Sequence, residues 1–127
     1  MKSELLLHEK EENIPKNKKT ILYVLTGSKC WAREYIDSLE DKDASRLLPL
    51  LIRIEDNGPP KNTEKFKHLE DGIFEIKSHQ DRLLCFYDKN KRNSLVITHG
   101  VKKKTQKLKK EEILRAKDLR KVYYQEG

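Results

Sequence analysis

Apolar residues recur along this chain at two spacings, and the change from one to the other marks its elements. Ile21 to Leu25 is a β-rich run closed by Gly27-Ser28, which predicts a strand. A helix follows from about Trp31, with Tyr35, Ile36 and Leu39 on one side. Asp41 to Asp43 makes a turn that can cap a second helix. In that helix Ala44, Leu47, Leu48, Leu51 and Ile54 recur at helical spacing. Asn57-Gly58, followed by Pro59-Pro60, stops it. Residues 59–68 read as a basic, irregular loop.

The spacing then changes. Asp71-Gly72 opens a β region in which Ile73 to Lys77 alternates polar and apolar side chains. His79 to Asp81 makes a hairpin turn, and Arg82 to Tyr87 is a more buried strand. Lys89 to Asn93 forms the next turn and Leu95 to His99 the next strand. Connections this short join the three strands as an antiparallel meander. A last helix begins near Lys110, with Ile113, Ala116, Leu119 and Tyr123 on one face. The order is β–α–α–β–β–β–α. The expected class is α+β: a small twisted antiparallel sheet with two helices from the N-terminal half and a C-terminal helix. Residues 1–19 read as a polar leader before a single domain at 20–127. Leu5 to Leu7 there is a turn of helix or an edge strand, and Asn13, Pro15 and Asn17 break the leader up.

Composition adds a partner class. Hydrophobic residues make up 35% and charged residues 39%, which implies a thin core under a charged surface. Residues 1–60 hold ten Lys/Arg against eleven Asp/Glu, and residues 61–127 hold eighteen against ten. The net +7 therefore arises wholly in the second half, as a basic face for a polyanion would require. A solvated surface is the plainer alternative. No apolar run approaches the roughly 20 residues that span a membrane, and the N-terminus has no signal-peptide core, so a cytoplasmic protein is expected. Cys30 and Cys85 fit that compartment as free thiols. Neither has a His or Cys at metal-ligand spacing, and the four histidines are scattered, so no metal or other cofactor is expected.

Three segments stand together: Lys67 to Lys77, containing Asp71-Gly72-Ile73-Phe74-Glu75-Ile76-Lys77; Asp81-Arg82-Leu83-Leu84-Cys85-Phe86-Tyr87; and Thr98-His99-Gly100-Val101-Lys102-Lys103-Lys104-Thr105-Gln106-Lys107. With Glu112-Ile113-Leu114-Arg115-Ala116 after them, they resemble the phage-derived HigB-like branch of the RelE/HigB/ParE toxin superfamily. The likeness covers about residues 21–124. Val101 stands where the family usually has Phe, and Lys109 where it often has Pro.

This resemblance implies the toxin of a type II toxin–antitoxin pair, an endoribonuclease that cuts mRNA in the ribosomal A site. In such enzymes the RNA's own 2′-hydroxyl attacks, so neither a metal nor a protein nucleophile is needed. The protein must align the backbone, neutralise charge on the phosphate and help move two protons. Arg82 matches the family's strand arginine and is assigned to phosphate stabilisation. Its plainer role is a salt bridge to Glu75 or Asp81. Lys77 lies on the same side as Glu75 by period-2 alternation and is assigned to phosphate binding or proton transfer. Glu75 is either a general base or the group that orients Lys77 or Arg82. For His99, the unperturbed histidine pKa of about 6.5 would suit proton transfer, and a structural role at the strand's end suits it equally. Lys102, Lys103, Lys104 and Lys107 are assigned to rRNA or mRNA phosphates, because the span 102–110 holds six lysines and no acid. Phe74, Phe86 and Tyr87 are read as structural. Implied partners are the ribosome and mRNA, and a small antitoxin, often with a helix-turn-helix domain. Operator DNA would be bound only through the toxin–antitoxin complex. Two other readings stand beside this one: a ParE-like gyrase inhibitor, and a non-catalytic nucleic-acid-binding module.

Overall fold

The computed structural model describes residues 1–104 and 108–126. Its elements in chain order are β1 (Lys2–Leu5), β2 (Ile21–Thr26), α1 (Trp31–Asp37), α2 (Asp41–Asn57), β3 (Phe66–Glu70), β4 (Ile73–Ser78), β5 (Asp81–Tyr87), β6 (Ser94–Lys102) and α3 (Lys110–Glu126). The strands form one sheet in the order β1-β2-β6-β5-β4-β3. Helices α1 and α2 cover one face and α3 the other, so the α+β class holds with two helices before the meander and one after it.

One pairing departs from the antiparallel sheet expected from the sequence. β2 runs parallel to β6, with Ile21 opposite Ser94 and Val24 opposite Ile97. A parallel neighbour needs a long crossover, and α1, α2 and the β3–β5 meander supply it. The central strands are therefore covered on both faces. Leu83 and Cys85 join Leu47, Leu51 and Ile54 of α2 on one side. Leu84 and Phe86 join Ala116, Leu119 and Tyr123 of α3 on the other.

Two strands lie where the sequence suggested none or left the choice open. β3 falls largely in the stretch read as a loop. Asp71 and Gly72 both take positive φ (51° and 78°), the pair of left-handed residues of a tight two-residue hairpin. That turn folds β3 back onto β4, with His68 opposite Phe74. β1 comes from the stretch read as a leader. It pairs antiparallel with β2 and places Leu5 in the core on the α3 side.

Helix α2 is rotated slightly from its expected phase. Leu47, Leu50, Leu51 and Ile54 are buried, whereas Leu48 is 40% exposed. Its N-cap is Glu40, and Asp41 and Asp43 lie in the first turn, where their charge favours the helix dipole. Gly58, at φ 82°, ends the helix as the Asn-Gly signal indicated.

A bulge in β6 decides what each face receives. Leu84 pairs with His99 but Cys85 pairs with Ile97, so Thr98 is an extra residue. Its hydroxyl donates to the Leu84 carbonyl (3.2 Å). Before the bulge, Ile97 faces the α1/α2 core. After it the alternation is inverted, so His99 and Val101 face α3 and Lys102 turns back toward α1 and α2.

Candidate active site

Cross-strand partners share a face, and this gathers charge on the α3 side of β3, β4 and β5. Lys67 lies opposite Glu75, Lys77 opposite Arg82, and Arg82 opposite Val101. Lys103, just past the end of β6, donates its backbone N–H to the Gln80 carbonyl (2.7 Å) and continues the row. Glu75 and Lys103 line a cavity of about 260 Å³ with Lys67, Leu69, Glu70, Leu108, Lys110 and Ile113. A neighbouring hollow of about 360 Å³ shares Lys103 and Leu108. The start of α3 thus roofs a basic cleft with one carboxylate in its lining at β4.

Glu75 is 2% exposed and Arg82 7% exposed. The two charges are 3.8 Å apart, outside hydrogen-bonding reach. The Arg82 Nη1 is held by the carbonyls of His79 and Asp81. The first lies in the β4–β5 turn, where His79 has φ 57°. The expected pairing of Arg82 with Glu75 therefore exists only loosely, and with Asp81 it is made to the backbone. Among the described residues, four buried side-chain atoms have no hydrogen-bond partner: Glu75 Oε2, Arg82 Nε and His99 Nε2 on this face, and Glu55 Oε2 on α2. Most buried polar atoms do have partners. Of these residues Glu75 lines the cavity, where its unpaired oxygen can bond to a ligand that enters.

The candidates divide. Glu75, Lys77, Arg82 and Lys103 are brought together. Burial, and next to it the Arg82 guanidinium, holds the Lys103 ammonium below its ordinary 10.5. Lys77 and Lys67 push it the same way, and Glu75 opposes them. His99 shares this face but is sealed under α3 at 2% exposure. Its Nδ1 meets the Thr98 hydroxyl (3.0 Å) and its Nε2 lies 3.4 Å from Glu112. Burial lowers its pKa from 6.5, against the pull of Glu112 and with a smaller push from Arg115. Lys102 stands apart, on the opposite face. Its Nζ lies 2.8 Å from the buried Asp81 and 3.6 Å from Asp43. Lys104 is exposed. Lys107 lies outside the described residues. Two lysines not named among the candidates, Lys67 and Lys110, line the cavity. Lys67 was hidden because β3 was read as loop. Its place opposite Glu75 follows from the hairpin that Asp71-Gly72 signals.

The cleft therefore presents a buried carboxylate and an ammonium of lowered pKa, with a guanidinium close to the carboxylate on the same face. Together they could bind a phosphodiester and move protons around it. The model of the family described as phage derived protein Gp49-like (DUF891) matches residues 34–121, and the chain belongs to that family, which is related to RelE-type toxin proteins. No curated protein matches the chain. Among the described residues, no helix is long and apolar enough to cross a membrane.

Proposed function

We propose that this chain is the toxin of a type II toxin–antitoxin pair and cuts ribosome-bound mRNA. One observation carries the reading: Glu75 and Lys103 line a basic cleft, Arg82 lies 3.8 Å from Glu75 on the same face, and among the described residues Glu75 Oε2 and Arg82 Nε have no hydrogen-bond partner. RNA cleavage by internal transesterification uses such a set. The 2′-hydroxyl attacks the adjacent phosphorus, and Glu75 takes its proton. Arg82 and Lys77 stabilise the charge that builds on the phosphoryl oxygens. The bond to the 5′ oxygen breaks, and the Lys103 ammonium gives that oxygen a proton. A 2′,3′-cyclic phosphate and a 5′-hydroxyl result. A lysine of lowered pKa is a better proton donor than an ordinary one. Exposed lysines, Lys104 and Lys110 among them, supply the long-range attraction to ribosome and mRNA phosphates. An antitoxin covering this cleft would silence the toxin.

The test is a purified translation mixture programmed with a defined mRNA, beside a gyrase supercoiling assay. Expected are mRNA fragments with cyclic-phosphate ends that form only with ribosomes, and unaltered supercoiling. Intact mRNA together with blocked supercoiling would replace this reading with the gyrase-inhibitor one.

A further inference from the structure

The face opposite the cleft buries another carboxylate, and this one has two close partners on one oxygen. Asp81 is 2% exposed. Its Oδ1 accepts a hydrogen bond from the Tyr35 hydroxyl (2.5 Å) and lies 2.8 Å from Lys102 Nζ. Asp43, in the first turn of α2, is 3.6 Å from the same ammonium. The Tyr35 ring lies directly on the backbone of Gly100: a Cβ built there would sit 2.3 Å from its Cδ2. Helices α1 and α2 thus grip the ends of β5 and β6 at one point.

That point decides which lysine reaches the cleft. Asp81 pairs with Lys102 across the strands, and Arg82 with Val101. The Thr98 bulge has already inverted the alternation of β6 once. A slip by one residue beyond it would exchange Lys102 and Lys103 between the two faces. A run of three lysines offers little side-chain contrast to resist such a slip. A buried carboxylate that accepts only at the Lys102 position supplies that contrast.

We propose that Tyr35, Asp81 and Lys102 form a clamp on the α1/α2 face that pins the register of β5 and β6 and so turns Lys103 toward Arg82 and Glu75 on the other face. All three act as positioning residues, since they lie across the sheet from the cleft. The inference rests on the nuclease reading only for the use made of Lys103. The placement itself is independent of it.

The test is the titration of the Lys103 ammonium, followed by lysine-selective NMR on the chain without RNA. The charged groups around Lys103 are Lys67 and Glu70 from β3, Glu75 and Lys77 from β4, Arg82 from β5, Lys110 and Glu112 from α3, and Lys104 and Lys109 from the segment between β6 and α3. In Asp81→Asn, release of the clamp lets Lys103 leave its cationic neighbours, and it titrates higher, toward 10.5. A field effect alone works the other way, because removing a carboxylate lowers a nearby lysine. A fall or no change therefore overturns the clamp. Tyr35→Phe keeps the ring on Gly100 and the charge of Asp81, so it guards against a variant that misfolds. The same upward direction is expected, with a smaller shift. In single-turnover cleavage, both variants are expected to lose rate, Asp81→Asn about tenfold, with ribosome affinity unchanged. If Lys103 moves upward in both variants but the parent chain does not cut mRNA, the clamp stands and the nuclease reading falls. If the parent cuts mRNA and Lys103 titrates alike in all three proteins, the clamp falls and the nuclease reading stands.

Discussion

The two faces of the sheet each bury one carboxylate near the same strand ends, and they treat it differently. On the α1/α2 face Asp81 has a hydroxyl and an ammonium as partners. On the α3 face Glu75 has a guanidinium 3.8 Å away and one oxygen without a partner among the described residues. A buried charge held by a hydroxyl and an ammonium serves the fold. A buried charge with incomplete partners costs stability, and is tolerable where function needs it. Both carboxylates are 2% exposed, so what sets them apart is their partners and that Glu75, not Asp81, lines a cavity.

The contrast is broken most severely at Arg82. Arg82→Ala should keep the fold and ribosome binding while cleavage falls roughly a hundredfold, about 3 kcal/mol of transition-state stabilisation. Arg82→Lys should rescue poorly, because an ammonium cannot reproduce the guanidinium fork. Single-turnover cleavage of ribosome-bound mRNA measures both. Unaltered cleavage by folded Arg82→Ala would remove it from the mechanism.

A second test uses acid. His99 is buried with its pKa lowered from 6.5, so the unfolded chain binds its proton more readily than the folded one. Stability should therefore fall as pH drops from 6.5 toward the lowered value, and level off below it. Denaturant melts of the parent and of His99→Gln across this window measure the effect. The variant should lose part of the slope. Equal slopes would mean that His99 titrates normally and is not sealed as described.

The smallest effect sharpens the division among the lysines. Lys104→Ala should lower the slope of log affinity against log salt by roughly 0.7, the value for one phosphate contact on a single strand. Lys102→Ala should leave the slope nearly unchanged, because Asp81 and Asp43 already hold that ammonium. Equal losses from the two would place both on the nucleic-acid side.

Most elements were legible because their signals are local. The helical spacing of Leu47, Leu51 and Ile54 and the face formed by Ala116, Leu119 and Tyr123 survive in the structure. So do the alternation of β4 and the short turns of the meander. β3 was legible too, through Asp71-Gly72, but its polar residues Lys67 and His68 drew it into the preceding loop. The parallel contact of β2 with β6 could not be read, because strand order is set by long-range packing. At the site, Glu75 and Lys77 follow from alternation within one strand. Choosing among Lys102, Lys103 and Lys104 does not, because the Thr98 bulge inverts the alternation and no residue type announces it.

The most direct test pairs thermal melts with single-turnover cleavage on Glu75→Gln and Asp81→Asn. Glu75→Gln keeps the shape and removes an incompletely paired charge. Its melting temperature should not fall, and its cleavage rate should drop at least tenfold. Asp81→Asn should lower the melting temperature, by roughly 1–3 kcal/mol of stability for weakened bonds to a buried charge. A Glu75→Gln protein that melts as early as Asp81→Asn, and whose folded molecules still cut mRNA at the parent rate, would contradict the assignment of the α3 face as the chemical one.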